Sequence, residues 1–416
     1  MMAETALETS SYNPFRILVD QPNFRLFWIG QTVSLVGTWM QSMAQGWLAL
    51  ELSGSASFVG LVACAGSLPI LLLSLHAGVL VDRVDKLRLV QVAQLVLLVE
   101  AAVLTWFVWS GRITPGWLLA FAALNGLATA FEIPGRQSLV VDLVGRRNLH
   151  EAIALNSSGF NLARIVGPAI GGLVIRSAGL AGCFAVNTAS YLAVLAGLSL
   201  IRLPAGARGG AAPSPHSATH SVREGMRYVA RAPTLRALMV TVAVFSVLGT
   251  PYLTLMPVFA RDVLGTAAGG YGTLLTCVGI GGLAGALALA SLSRRLPRGR
   301  LLMVAALAFA ALLVLFALTR SLPVAQGVLL LTGFAMIVTG ALSNSLLQEL
   351  VPDALRGRVM ALYSLVVVGL PLTLGALVGG RLAAAVGVPW VVGGGGVVVL
   401  LFTAVVFART PALARL

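Results

Sequence analysis

The stretch Gly78-Val79-Leu80-Val81-Asp82-Arg83-Val84-Asp85-Lys86-Leu87-Arg88 joins two long apolar runs through a short cluster of charges. The cluster stands out because only 10% of the 416 residues are charged and 58% are hydrophobic. Soluble domains carry about 25% charged residues. The apolar runs along the chain reach about 20 residues, which is long enough to cross a bilayer as a helix. The sequence therefore predicts an all-α polytopic membrane protein.

Apolar runs between charge clusters predict twelve transmembrane helices. Their approximate limits are 24–50, 55–80, 88–110, 115–134, 150–175, 180–201, 236–260, 269–291, 300–319, 322–346, 358–380 and 388–408. Strands of a membrane barrel are excluded, because they would alternate polar and apolar residues. With a cytoplasmic N-terminus, 22 of the 28 Lys and Arg residues fall inside, five fall outside and only Arg164 remains within a span. Since cytoplasmic loops carry the excess of cations, we predict a bacterial inner-membrane protein with both termini in the cytoplasm.

Neither nucleic acid nor a cofactor is an expected partner. The net charge of +14 is scattered in short runs between the spans and forms no continuous basic face. Cys64, Cys183 and Cys277 lie within apolar runs, so no metal site is predicted from them. His216 and His220 have a metal-ligand spacing but stand in a proline-broken linker without further ligands. The sequence has no nucleophile–base pattern and no nucleotide-binding loop, so no enzymatic activity is predicted.

The two halves of the chain resemble each other. SLVVDLV at 138–144 corresponds to SLLQELV at 345–351, an offset of 207 positions. An offset of half the chain with equal topology predicts two parallel six-helix repeats, 1–202 and 236–416, around a central cavity.

Residues 203–235 are predicted to connect the two halves on the cytoplasmic side. Their first part is rich in Gly, Pro, Ser and Ala, and is flexible by composition. After it, Val222, Met226 and Val229 recur at helical spacing with arginines opposite. This pattern predicts an amphipathic helix that lies on the membrane surface.

Three motifs resemble those of the major facilitator superfamily. In the opening stretch, the residues that match its loop signature are Gly78, Asp82, Arg83, Lys86 and Arg88. Asp85 stands where that signature usually has Gly. In span five, Gly167-Pro168-Ala169-Ile170-Gly171-Gly172 resembles the antiporter motif of exporters. The run from Pro134 to Pro168 resembles the branch that contains the enterobactin exporter and is labelled transmembrane secretion effector.

This resemblance covers nearly the whole chain and implies a monomeric secondary transporter that works by alternating access. It implies a proton-coupled exporter of small amphipathic molecules, siderophore-like or drug-like. An importer or a lysophospholipid flippase on the same fold is the alternative. A membrane sensor or scaffold is the alternative outside transport.

The resemblance also assigns residues to the opening and closing of the carrier. Asp82 is expected to face the N-terminal end of span eleven in the outward-open state, where Arg356 and Arg358 add positive charge. The antiporter motif is expected to seal the cavity through Gly167, Pro168, Gly171 and Gly172. In the second half, a substitute contact is hypothesised between Arg294 or Arg295 and Glu151 or Asp142.

Polar residues recur every three or four positions on spans one, four, seven and ten, hence on one face of each helix. The first spans of each half line the cavity in this superfamily. The predicted lining is Gln31, Ser34, Thr38, Gln41, Gln45, Asn125, Thr129, Asn161, Ser246, Thr250, Thr254, Thr332, Met336, Thr339 and Ser343. Helix packing also uses Ser, Thr and Gln, so a purely structural role is the alternative interpretation.

Three ionisable residues within spans are candidates for coupling, because a charge at bilayer centre costs roughly 2.5–3.5 kcal/mol on insertion scales. Glu132 and Arg164 can pair across the cavity, as a couple that a proton or an anionic substrate would break. Glu100 is central in span three, where a buried carboxyl group can instead be neutral and structural. Many proton-driven exporters have an Arg in span four, where this chain has Ala122, so proton coupling depends on the fold and these three residues.

Overall fold

The computed structural model describes residues 15–81, 83–202, 218–292 and 297–416, which are helical apart from short connections. The helices are α1 (Arg16–Asp20), α2 (Pro22–Ser53), α3 (Ala56–Val81), α4 (Lys86–Trp109), α5 (Pro115–Val144), α6 (Leu149–Leu200), α7 (Ala218–Arg231), α8 (Pro233–Val244), α9 (Tyr252–Asp262), α10 (Ala268–Leu292), α11 (Arg298–Leu318), α12 (Leu322–Leu350), α13 (Asp353–Ser364), α14 (Ala376–Val386), α15 (Val388–Arg409) and α16 (Pro411–Ala414). One π-helical turn, Phe245–Gly249, connects α8 to α9. Two more, Leu365–Gly369 and Pro371–Gly375, lie between α13 and α14.

Ten helical segments in the described part of the chain are long and apolar enough to cross a membrane. The prediction of an all-α membrane protein is confirmed. One of the ten, α6, is 52 residues long and consists of two helices joined at a kink, where Gly179 has φ 68° and ψ −174°. Only glycine adopts such dihedrals readily. Helix α2 is 32 residues long but is more polar than the ten, because it carries Arg25, Glu51 and three glutamines.

The departure from the family signature at Asp85 has a structural role. Asp85 is the N-cap of α4, and its side chain accepts a hydrogen bond from Arg88 N over 3.1 Å. Such a cap satisfies one of the backbone N–H groups that a helix N-terminus leaves unpaired. The added carboxylate therefore helps to begin the helix that follows the loop.

The bundle has two ends, here called the terminal face, where α2 and α8 begin, and the distal face, where α2 and α9 end. At the distal face both halves contribute to one hydrophobic core, which includes Met43, Trp47, Phe259 and Tyr271. At the terminal face the cores are separate: one lies within residues 17–201 and the other within residues 229–413. The structure is thus closed between the halves at the distal face.

Specific contacts hold the distal closure. The Trp47 ring stacks on Tyr271 with ring centroids 6.0 Å apart. The Arg261 guanidinium at the end of α9 donates to Leu50 O and Gly54 O, both over 3.4 Å. Both carbonyls belong to the C-terminal end of α2: Leu50 O also accepts from Gly54 N over 2.8 Å, and Gly54 is the C-cap residue, whose carbonyl group has no partner within the helix. The second half therefore caps a helix of the first.

The linker helix α7 packs against α13 at the terminal face. Val229 is buried in the core of the second half, and a Cβ at Gly225 would lie 3.0 Å from Arg358 O. The Glu224 carboxylate pairs with the Arg358 guanidinium over 2.6 Å. The apolar face of α7 is predicted to lie on the membrane surface, and this is wrong for Val229, because the beginning of α13 offers a protein surface for its side chain.

Candidate functional site

A buried polar cluster joins four helical segments in the middle of the first half. Glu100 of α4 is 1% exposed, and its Oε2 accepts from Gln41 Nε2 of α2 and Asn125 Nδ2 of α5, both over 3.3 Å. Asn187, beyond the kink of α6, donates Nδ2 to Gln41 Oε1 over 2.6 Å. Ser190 donates to Asn187 Oδ1 over 3.0 Å. The hydrogen bonds thus form a directed chain that ends on the carboxyl group of Glu100.

Glu100 is held by neutral donors, since both Gln41 and Asn125 are amides. Among the described residues its second oxygen, Oε1, is buried and has no hydrogen-bond partner. A carboxyl group inside a membrane span is costly when it has no cationic partner. The geometry therefore singles out Glu100 among the coupling candidates, and its role in coupling stays a prediction.

Glu132 belongs to a second buried cluster on α4 and α5. Its Oε1 accepts from Arg136 Nε over 2.9 Å and from Gln94 Nε2 over 3.2 Å. Arg136 lies one helical turn along α5, so this is a pair within one helix. The predicted couple between Glu132 and Arg164 does not form in this structure, because Arg136 is closer to the carboxylate than any residue of α6.

Arg164 lies where α6 meets the second half. A Cβ at Gly282 of α10 would lie 2.7 Å from its Nη2, so the absence of a side chain there makes room for the guanidinium. Tyr252 of α9 is close enough to interact with Arg164 electrostatically. Arg164 thus projects from the first half towards helices of the second.

The antiporter motif packs on two helices at once. Gly167 lies against Trp39 and Val36 O of α2, and Gly171 lies against Met40 of the same helix. Gly172, on another face of α6, lies against Gly269 of α10. The residue Pro168 is buried, and its carbonyl oxygen would lie 2.7 Å from a Cβ at Gly272 of α10. These small residues let α2, α6 and α10 approach closely, and sealing by this motif remains a prediction.

The polar stripe of the second half faces the interior of that half. Ser246, Thr339 and Ser343 line a pocket of about 30 Å³ together with Thr241 and Tyr363. This volume suits a water molecule rather than a substrate. Thr250 and Thr332 donate to the carbonyl groups of Ser246 and Val328, four residues earlier, over 2.6 Å and 2.8 Å.

The remaining lining candidates differ in burial. Gln31 and Ser34 are buried, and the half-buried residues are Thr38, Gln45, Thr129, Asn161, Thr254 and Met336. Thr38 donates to Ser34 O, and Asn161 donates to Ser157 O. Of the predicted lining residues, Gln41 and Asn125 thus belong to the Glu100 cluster, and Ser246, Thr339 and Ser343 line the small pocket. Their role in lining a substrate cavity stays a prediction.

The charged loop within the stretch 78–88 is fixed to the end of α5. Lys86 Nζ contacts both oxygens of Asp142, at 3.1 Å and 2.9 Å. Asp142 is thus paired within the first half, and its hypothesised contact with Arg294 or Arg295 stays a hypothesis. Those two arginines and Asp82 lie outside the described residues.

The other residues assigned to opening and closing lie at the terminal face. Gly78 lies near the end of α3 and is half-buried, whereas Arg83 and Arg88 are exposed. Arg356 pairs with Asp353 over 2.6 Å and donates to Gln348 O. Arg358 pairs with Glu224, so in this conformation both arginines at the start of α13 have partners within the second half and the linker.

Sequence reasoning missed four residues that the geometry brings to these sites: Gln94, Asn187, Ser190 and Tyr252. Each is a polar residue inside an apolar span, which is the signal that identified Glu100. This signal could have marked the four residues as candidates. It could not have predicted their hydrogen-bond partners.

The fold is shared by known transporters. Nucleoside transporter NupG matches with a TM-score of 0.72 at 12% identity, covering 95% of this chain and 99% of that one. A bacterial homologue of the human lysosomal transporter Spinster matches with a TM-score of 0.71 at 16% identity, covering 95% and 97%. The family described as transmembrane secretion effector matches residues 9–414. The chain belongs to this family of major facilitator transporters.

Three relatives of this chain have the names of transporters. The multidrug efflux pump Tap of Mycolicibacterium fortuitum is 30% identical over 362 residues, 84% of this chain and 87% of that protein. The staphyloferrin A transporter of Staphylococcus aureus is 26% identical over 266 residues, 64% of this chain and 66% of that protein. The enterobactin exporter EntS of Shigella flexneri is 25% identical over 380 residues, 84% and 82%. The protein is therefore a membrane transporter and not an enzyme.

Proposed function

We propose that this protein is a proton-coupled exporter of small amphipathic molecules, siderophore-like or drug-like, in the bacterial cytoplasmic membrane. The observation that carries the proposal is Glu100, a buried carboxyl group held by two amides from α2 and α5. The similarity to the multidrug efflux pump Tap and to the enterobactin exporter EntS supports export, and it supports drugs and siderophores as the substrate class.

A proton at Glu100 would affect the contact between the halves. Loss of the proton strengthens the hydrogen bonds from Gln41 and Asn125, since charged acceptors form stronger hydrogen bonds than neutral ones. Gln41 lies on α2, whose Trp47 stacks on Tyr271 of the second half. A change in charge at Glu100 therefore acts on a helix that takes part in the distal closure.

We further propose twelve spans in two six-helix repeats, with both termini in the cytoplasm. Dividing α6 at Gly179 and adding α2 brings the ten membrane-capable segments to twelve. On this topology the terminal face is cytoplasmic. The shared distal core and the separate terminal cores then correspond to an inward-open carrier, ready to take substrate from the cytoplasm or the inner leaflet.

Reconstitution in proteoliposomes tests the proposal. Purified protein is given an imposed pH gradient and a panel of dyes, amphipathic drugs and siderophores. We expect the wild type to transport at least one of them with the gradient. Glu100→Gln, which keeps the side-chain shape but cannot ionise, is expected to lose gradient-driven transport and to retain exchange of substrate for substrate. Glu132→Gln is measured in parallel, because its carboxylate is already paired with Arg136.

Asp20→Asn is the matched control, since Asp20 is exposed and forms only a surface pair with Arg16. If the wild type transports no member of the panel, the exporter proposal fails. If Glu100→Gln transports with the gradient as well as the wild type does, Glu100 is not the coupling site.

Transport of a lipid-like molecule is a second candidate, favoured by one observation. An apolar groove of about 340 Å³ lies among α9, α14 and α15 and is lined by Tyr252, Gly379 and Trp390, among others. All three helices belong to membrane-capable segments, so the groove lies at the depth of lipid chains. Competition of a lysophospholipid with dye transport would support this candidate.

A further inference from the structure

Arg164 reaches from the first half into a site built by the second. It lies on α6, one turn before Pro168, and its Nη2 approaches Gly282 of α10. A Cβ at Gly282 would also lie 2.9 Å from Ile337 of α12, so Ile337 borders the same space. Tyr252 of α9 interacts electrostatically with the same guanidinium, so the site combines a group of the first half with residues of the second.

Within residues 15–81, 83–202, 218–292 and 297–416, no carboxylate lies within ion-pair distance of Arg164, and its Nε is buried without a hydrogen-bond partner. An arginine cannot escape this situation by losing its proton. A charge that is partly removed from water without a partner is unfavourable, whereas the guanidinium of Arg136 is paired with Glu132. The Nε–H of Arg164 is therefore a donor that an anion could satisfy.

The position of Arg164 makes it accessible to a solute between the halves. The seam between α6 and α10 runs from Gly172 beside Gly269 to Arg164 beside Gly282. On the distal side of this seam the halves share one core, and towards the terminal face their cores are separate. Arg164 is only half-buried. It thus stands at the end of the closed seam, where the space between the halves begins.

We propose that Arg164 recognises an anionic oxygen group of the substrate, and that the transported molecules are amphipathic carboxylic acids. This inference rests on the proposed function and names its substrate class. The guanidinium presents N–H donors in a planar fork that matches a carboxylate. The Tyr252 hydroxyl group adds a donor. In this structure it donates to Met336 Sδ over 3.8 Å, and a thioether sulfur is only a weak acceptor. Met336 and Ile337 offer apolar surface to the body of the molecule.

Two dyes that differ only at the acid group test the proposal. Rhodamine 110 carries a free carboxyl group, and rhodamine 123 is its methyl ester. Binding to purified protein in detergent is measured by fluorescence anisotropy, without a pH gradient, and transport is measured separately in proteoliposomes. We expect the wild type to bind the acid roughly 10-fold to 100-fold more tightly than the ester, because the ester leaves the buried donors of Arg164 unpaired. Arg164→Gln is expected to lose this preference by weakening binding of the acid alone.

Arg164→Lys keeps the charge without the planar fork and is expected to retain part of the preference. Arg176→Gln is the matched control, since Arg176 lies three turns further along α6, is exposed, and is expected to leave both affinities unchanged. Equal binding of acid and ester by the wild type would overturn the proposal. An equal loss of affinity for both dyes in a folded Arg164→Gln protein would also overturn it, because it would indicate a structural role of Arg164. A wild type that prefers the acid in binding but transports neither dye would contradict the exporter function and leave the anion site supported.

Discussion

Gln41 donates its side-chain amide to the Glu100 carboxyl group over 3.3 Å, and the same amide accepts from Asn187 over 2.6 Å. One side chain of α2 therefore connects the acid of α4 to the segment of α6 beyond its kink. Every donor in this chain points towards Glu100. Such directed networks inside a low-dielectric interior stabilise one arrangement, because a missing member leaves buried polar groups unsatisfied.

Replacement of Gln41 by Leu is expected to destabilise the fold by about 1–3 kcal/mol, because it leaves Asn187 Nδ2 buried without its acceptor and removes one of the two donors to Glu100 Oε2. The measurement is the thermal unfolding midpoint of purified protein in detergent. Gln45→Leu is the control, one turn along the same helix. In the described part of the chain Gln45 Nε2 is buried and already has no partner, so its loss is expected to cost less. Equal effects of the two substitutions would contradict the role of Gln41 as a bridge.

Much of the fold could be predicted from the apolar pattern alone. The predicted limits 24–50 and 55–80 correspond to α2 and α3, and the gap between 175 and 180 corresponds to the kink at Gly179. Membrane helices are predictable because an apolar run of this length has few other stable states in water or lipid. The count of twelve spans and their two repeats remain predictions.

The partners within the site were harder to predict. Glu100 and Glu132 could be chosen as unusual, because a charge inside a span is costly. The hydrogen-bond partner of each carboxyl group depends on how the helices rotate and pack against each other. The periodicity of a single helix carries no information about this. The pair of Glu132 with Arg136 is the exception, since a four-residue spacing places both on one helical face. Asn187 lies 146 positions from Gln41, and only the folded bundle brings them together.

Asp85→Ala is expected to destabilise the protein by about 1 kcal/mol, because it removes the N-cap of α4. Asp85→Ser, which keeps an acceptor at the cap, is expected to lose much less. Chemical denaturation in detergent measures both. If the loss came from the charge of Asp85 and not from its hydrogen bond to Arg88 N, Asp85→Ser would be as unstable as Asp85→Ala.

Gly225→Val is expected to loosen the linker helix more than Glu224→Gln does. The ion pair between Glu224 and Arg358 is partly exposed, and such pairs contribute about 0–1 kcal/mol. A side chain at Gly225 would instead meet the backbone of α13 at Arg358 and force the helices apart. Hydrogen exchange of the amides in 218–231 measures the effect. Faster exchange in Glu224→Gln than in Gly225→Val would show that charge and not close packing holds α7.

Gly60→Ala is expected to open the distal face. Gly60 of α3 lies against Ala376 and Gly380 of α14, and a Cβ there would overlap the carbonyl oxygen of Ala376. Since that atom belongs to a helix backbone, the two helices must separate. This contact joins the two halves in the distally closed arrangement of this structure. The substitution should therefore shift the population towards the state that is open at the distal face.

Spin labels at Ser53→Cys and Arg381→Cys, both exposed positions of opposite halves, measure this shift in a background without Cys64, Cys183 and Cys277. We expect longer distances between the labels in Gly60→Ala than in the parent. Gly327→Ala is the control, because nothing lies within 4 Å of a Cβ at that position of α12. An unchanged distance distribution in Gly60→Ala, with the fold intact, would mean that α3 and α14 absorb the added methyl group without opening.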